Sequence, residues 1–146
     1  MGKRVSILFR KPLPREERAA LRAFAAELVE KVLEGRSFVC LLTSDAQLQQ
    51  LNKEFLGHDY ATDVLSFPGG GTEDLGELAI SIERAAVQAT EQGHTLLEEL
   101  KILMLHGALH LAGMDHEKDR GQMKKLETRW RKDFGLASGL IERSRR

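Results

Sequence analysis

Apolar positions change their spacing several times along the 146-residue chain, and each change marks an element. Val5 to Phe9 is a short apolar run that reads as an opening strand. Pro14 at a first helical position, with Glu16 and Glu17 in the first turn, then starts a helix that ends at Gly35. Within it Leu21, Phe24, Ala25, Leu28, Val29, Val32 and Leu33 recur at helical spacing and form one core-facing stripe. Ser37 to Thr43 reads as a buried strand. Ser44 with Gln47 is a capping-box signature for a helix reaching about Phe55. Asp63 to Phe67 and Leu75 to Ile82 are two further strands, separated by the loop Pro68-Gly69-Gly70-Gly71-Thr72. A short helix runs from Glu83 to Gln92 and stops at Gly93. Thr95 and Glu98 form a second capping box, for a helix apolar on nearly every face from Leu96 to Ala112. Such a helix belongs in the middle of a protein. The last long helix, roughly Glu117 to Phe134, has a seam at Met123, Leu126, Trp130 and Phe134. The pattern predicts a mixed α/β fold, a single domain over residues 1–146, with about four strands in a mixed sheet and five or six helices.

Composition agrees with one soluble globular domain: 42% of residues are apolar and 30% charged. No apolar run approaches the roughly 18 residues of a membrane span. Cys40 is the one cysteine and sits within Phe38-Val39-Cys40-Leu41-Leu42, so no internal disulfide forms and a buried, inert thiol is expected. A reducing, cytoplasmic setting is the expectation, with no membrane partner. The net charge is zero, yet residues 1–36, 37–116 and 117–146 carry +4, −9 and +5. Basic ends around an acidic centre can guide a polyanion, although solvated helix faces give the same pattern.

The chemistry is concentrated in His106-Gly107-Ala108-Leu109-His110-Leu111-Ala112-Gly113-Met114-Asp115-His116. His106 and His110, four apart, stack on one helix face and can grip one ion. On a continuing helix His116 would lie roughly 9 Å beyond His110, too far to share an ion bonded at about 2.0–2.1 Å. The helix must therefore stop and turn back, and Gly113 stands where a left-handed terminator belongs. Three neutral imidazoles leave a fourth tetrahedral position open, the arrangement of a catalytic zinc site that can bring the pKa of its water to about 7. His94, just after a helix-stopping glycine, reads as a surface loop residue. The same outline occurs in metzincin proteases, whose second position is a general-base Glu. Here it is Gly107, so peptide hydrolysis is disfavoured and a phosphodiester is the better substrate.

The histidine segment resembles the H-G-x-L-H-L-x-G-Y-D-H of the YbeY endoribonucleases, with Met114 in place of Tyr. Thr62-Asp63-Val64-Leu65-Ser66-Phe67-Pro68 and Leu75-Gly76-Glu77-Leu78-Ala79-Ile80-Ser81 match the same family in the same order, with Glu77 for the commoner Asp. The resemblance implies a mixed sheet backed by helices and one zinc ion on His106, His110 and His116. It also implies single-stranded RNA as substrate, notably ribosomal RNA precursors, and the small ribosomal subunit as partner. The activity so implied is maturation of the 3' end of small-subunit rRNA and ribosome quality control. One departure from the family matters: its functional Arg falls on Leu56, within Phe55-Leu56-Gly57-His58-Asp59. Lys53 and His58 are the candidates to take over RNA binding there. Asp115 is a candidate to cap the next helix, to orient a ligand imidazole or to relay protons, and His58 is a second weak catalytic candidate. Ser66 has no base identifiable beside it and reads as a strand-end hydroxyl. A ribosome-binding assembly factor with a mainly structural metal site is the competing reading. A metallohydrolase of peptides or small molecules is a third.

Overall fold

Alternation along the strands decides which helix each one meets. In the computed structural model, which describes residues 6–60, 62–69 and 71–143, Phe38, Cys40 and Leu42 point into the main core. Leu41, between them, faces a smaller cluster on the other side. The strands are β1 (Ser6–Phe9), β2 (Ser37–Thr43), β3 (Val64–Pro68) and β4 (Asp74–Ser81). The helices are α1 (Arg15–Glu27), α2 (Asp45–Leu56), α3 (Ile82–Gln92), α4 (Leu96–Leu111), α5 (Gln122–Asp133) and α6 (Leu140–Arg143). One sheet has the order β1-β2-β4-β3, with β1, β2 and β4 parallel and β3 antiparallel to β4. The mixed α/β expectation therefore holds. Val5, expected to open the first strand, lies outside the described residues.

Helix α4 sits at the centre because its residues are buried almost all round, from Leu100 to Leu109 and again at Leu111, with Lys101 and His110 half-exposed. Each large apolar side chain so buried contributes roughly 1.5–3 kcal/mol. The helix approaches β4 closely: a Cβ on Gly107 would stand 2.7 Å from Cδ2 of Leu78. That contact presses the helix carrying the histidines against the sheet. On the other sheet face, α2 packs Leu48 and Leu51 against Leu65, Phe67 and Ala79.

Both predicted helix starts are capped as their sequences suggest. Ser44 Oγ accepts the Gln47 N–H at 3.1 Å, and Thr95 Oγ1 accepts the Glu98 N–H at 3.1 Å. The Glu98 carboxylate, however, turns outward to accept the Ala137 N–H at 2.8 Å. Three boundaries differ from expectation. The first helix widens into a π turn over Leu28–Val32, closed by Leu33 N–H to Leu28 O at 2.9 Å. The wider turn keeps Leu28, Val29 and Leu33 all on the buried side. Ser81, not expected as a cap, accepts the Arg84 N–H at 3.0 Å and starts α3 one residue early. The last long helix begins at Gln122 rather than Glu117, because aspartates compete for its first N–H groups. Asp115 accepts from Glu117 N at 3.0 Å, and Asp119 accepts from Gly121 N and Met123 N at 2.8 and 2.9 Å.

The chain closes with α6 held against α5. Arg131 donates to both carboxylate oxygens of Glu142, at 2.7 and 3.0 Å. The Arg131 guanidinium, foremost among several partners, holds the Glu142 carboxyl down at about 2, against an ordinary value of 4.5. A pKa depressed on folding means that the pair stabilises fully above about pH 4.5 and loses that contribution as pH falls through about 2. Urea unfolding at pH 7, 4 and 2.5, followed by Trp130 fluorescence, should show the stability gap between wild type and Glu142→Gln shrinking towards the acid end. A gap independent of pH would sink this account of α6.

Candidate metal centre

The centre is built by the end of α4 and the turn that follows it. After Leu111 the chain forms a Schellman motif: Gly113 N–H bonds to His110 O at 3.0 Å and Met114 N–H to Leu109 O at 3.1 Å. Gly113 has φ 100°, a conformation that a β-carbon would strain, and no cap side chain is needed. The reversal brings His116 back as the spacing predicts. Ring centroids stand 4.8 Å apart for His106 and His110, and 5.7 Å for His116 to each of them. One nitrogen from each ring lies within 4.8 Å of the other two. In a tetrahedral site with bonds of about 2.0–2.1 Å, ligand nitrogens stand about 3.4 Å apart, so small rotamer adjustments close the set.

The electrostatics fit a cation. His106 is buried, while His110 and His116 are half-exposed, which leaves the centre approachable from one side. Nδ1 of His106 lies 2.6 Å from Oε2 of Glu127, itself buried on α5. An ionised carboxylate only accepts, so this nitrogen carries the ring proton and Nε2 is left with its lone pair free. A carboxylate behind a ligating imidazole is what orients metal-binding histidines in general. Burial, foremost, and then the neighbouring His106 and His116 charges lower the His110 pKa below its usual 6.5, which keeps the ring in its neutral, ligating form. His116 has a buried Nδ1 with no hydrogen-bond partner among the described residues. Three imidazoles with one such backing carboxylate suit zinc or a similar borderline cation.

The other candidates lie elsewhere or act differently. Asp115 spends Oδ1 on the Glu117 N–H, and its carbonyl accepts from Lys118 and Asp119 N–H groups at 3.1 and 3.0 Å. It therefore shapes the turn that returns His116. Lys53 pairs loosely with Asp59 at 3.9 Å, and the His58 ring tilts over Tyr60 at 5.4 Å. Neither is joined to the three histidines by a hydrogen bond, ion pair or ring contact among the described residues. Leu56 ends α2 and is 45% exposed. His94 corrects the expectation of a surface residue: its side chain is only 8% exposed, and Nε2 lies 2.7 Å from Oε1 of the fully buried Glu99. A buried acid five residues ahead drew it inward. Glu127 is a residue of the candidate site that the sequence does not single out. The available signal was its place on the α5 stripe, one turn after Met123 and just before Trp130, where a charge has no business unless it is paired.

Residues 13–135 match the family model described as Endoribonuclease YbeY. A protein of Solibacter usitatus named Endoribonuclease YbeY is 54% identical over 138 residues, which cover 94% of this chain and 93% of that one. A Helicobacter pylori protein of the same name is 43% identical over 106 residues, covering 71% of this chain and 76% of the other. The solution structure of TM1509 from Thermotoga maritima aligns with a TM-score of 0.65 and 27% identity, over 90% of this chain and 89% of that chain.

Proposed function

The chain belongs to the YbeY endoribonuclease family, and from that premise we propose that it is a zinc-dependent, single-strand-specific endoribonuclease acting on ribosomal RNA precursors of the small subunit. The observation that carries the reading is the His106, His110 and His116 cluster backed by Glu127. Zinc held there would supply Lewis acidity to an oxygen nucleophile or to a phosphoryl oxygen. The chain's own residues do the rest. Glu127 fixes the ring and tautomer of His106, Gly113 and Asp115 hold the turn that presents His116, and the half-exposed His110 and His116 leave room for a substrate. Gly107, in the place of a protease's glutamate, lies buried against Leu78 and offers no carboxylate for peptide hydrolysis. The working compartment is taken to be the cytoplasm, with the small ribosomal subunit as partner.

A route for the RNA backbone is supported by α5. Lys124, Lys125, Arg129 and Lys132 line one side of that helix, along a shallow groove starting at Gly121, five residues after His116. None of the four has a carboxylate partner among the described residues. Each phosphate contact contributes about −0.7 to the salt slope of single-strand binding. Replacing Lys125, Arg129 and Lys132 together by alanine should flatten the plot of log affinity against log salt by about 2 for a short single-stranded RNA. An unchanged slope would remove α5 from the RNA path.

The test of the reading itself is cleavage of a single-stranded rRNA precursor by zinc-loaded wild type and by His110→Ala, with the product ends sequenced. Cleavage by wild type alone supports it. Product ends also separate two chemistries: a 2',3'-cyclic phosphate means attack by the RNA's own 2'-hydroxyl, and a 5'-phosphate means attack by water. One observation favours a second reading. Leu56 offers no guanidinium to a phosphate at the exposed end of α2. Small-subunit binding that survives His110→Ala, with no cleavage by wild type, would favour an assembly factor with a structural metal site. Gain of cleavage by Leu56→Arg would instead locate the missing phosphate contact.

A further inference from the structure

Glu127 does not hold His106 alone, because its own carboxylate is held from behind. While Oε2 faces Nδ1 of His106 at 2.6 Å, Oε1 accepts the backbone N–H of Ile141, the second residue of α6, at 2.9 Å. Gly139, one residue before α6, closes on the same carboxylate. A Cβ there would stand 2.4 Å from Oε1 and 3.0 Å from the carboxyl carbon. The segment that makes these contacts is itself tied down. Glu142 accepts from Arg131 and from the Gly139 N–H at 3.1 Å, Ala137 N–H donates to Glu98, and Arg143 grips Glu99 on α4 with bonds of 3.0 and 2.6 Å. This segment follows the residues that match the family model, which end at 135.

We propose that residues 136–143 are a positioning clamp for the metal centre: they fix the Glu127 carboxylate in one orientation, and through it the His106 ring, by the Ile141 N–H and the close approach of Gly139. A buried carboxylate needs a partner on each oxygen, because an oxygen left without one carries the whole desolvation cost. With Ile141 N–H in place, both oxygens are satisfied only when Oε2 faces His106. Without it the carboxylate gains by turning or withdrawing, and His106 loses the acceptor that sets its tautomer. Glu127, Gly139 and Ile141 are thus positioning residues that act on the ligand and touch no substrate. The inference rests on the reading of His106 as a metal ligand, and it needs no particular RNA.

The test is the zinc affinity of the full chain, measured by competition with a chromogenic chelator, with melting of the zinc-free protein followed in parallel. Gly139→Ala pushes the carboxylate by its added methyl, and Ile141→Pro removes the N–H at a first-turn position where proline is tolerated. Each should weaken zinc binding about 10- to 100-fold, the usual effect of losing a partner behind a ligand. In a Glu127→Ala background, adding Gly139→Ala should change zinc affinity less than twofold, since the group it acts through is gone. A merely structural role predicts lower melting temperatures with unchanged zinc affinity, and that result would overturn the clamp. So would an equal loss from Gly139→Ala with and without Glu127. Wild type that binds zinc tightly and cuts no RNA would overturn the proposed function and leave the clamp standing, whereas wild type that binds no zinc would overturn both.

Discussion

Arg143→Ala is expected to destabilise the protein by about 3 kcal/mol or more, although Arg143 is the last residue of the last helix. The reason lies in its partner. Glu99 is fully buried on α4, and its carboxylate is satisfied by two bonds from Arg143 and one contact with His94. Removing one side of a buried pair strands the other charge, which costs about 3–5 kcal/mol. Fraying of the chain end after the substitution would let some water reach Glu99, so the lower part of that range applies. In a domain of this size it corresponds to roughly 6–12 °C in melting temperature. The double variant Arg143→Met with Glu99→Leu should recover part of the loss, because two apolar groups need no partner while His94 loses its contact with Glu99. Thermal unfolding of the three proteins decides it. A shift below about 1 kcal/mol for Arg143→Ala would mean that water already compensates Glu99.

Gly76→Ala should be comparably damaging, by a different route. Gly76 has φ 129°, where a β-carbon is strained, and it pairs with Pro68 across the β3–β4 hairpin. An added Cβ would stand 2.2 Å from the Phe67 carbonyl oxygen and 2.6 Å from Gly69 N. Both are backbone atoms, one in the paired strand and one in the residue after it, so no side chain can swing away, and the ladder itself has to part. Strain of about 1–3 kcal/mol adds to overpacking of about 1–3 kcal/mol, for a total of about 2–6 kcal/mol. The damage should also reach the histidines. Leu78, two residues on, is the side chain against which Gly107 and therefore α4 are seated. Denaturant unfolding and zinc affinity should then fall together. A Gly76→Ala protein as stable as wild type would show that the hairpin relaxes at little cost.

What could be read from the chain and what could not divide by the distance over which each feature is determined. The Ser44 and Thr95 caps and the Gly113 stop are local, fixed by groups within five residues, and they stand where their sequences put them. The histidine cluster was legible for the same reason: a four-residue step on a helix and a glycine reversal leave little freedom to His116. Glu127 was not, because its partners lie 21 residues before it and 14 after it. A short-range rule misplaces His94, since the glycine before it suggests an exposed loop whereas Glu99 provides a buried acceptor. Apolar spacing starts α5 too early because it says nothing of aspartates. Asp115 and Asp119 occupy the N–H groups that would have begun the helix, and bonds from Met123 N and Gly121 N hold the Asp119 carboxyl below its ordinary 3.8. Apolar spacing carries no sign that the first helix widens at Leu28.

The buried Cys40 gives the protein a built-in chemical reporter. It lies in β2, between β1 and β4, with no exposed surface, and burial pushes its thiol up to about 12. A thiol so placed reacts only after the sheet opens, so the rate at which an aromatic disulfide reagent consumes it measures global opening without any engineered label. It also changes how a gel is read. Because Cys40 is the chain's one cysteine, a disulfide-linked dimer can form only from opened molecules, and such a band measures damage to the preparation rather than assembly of the native protein.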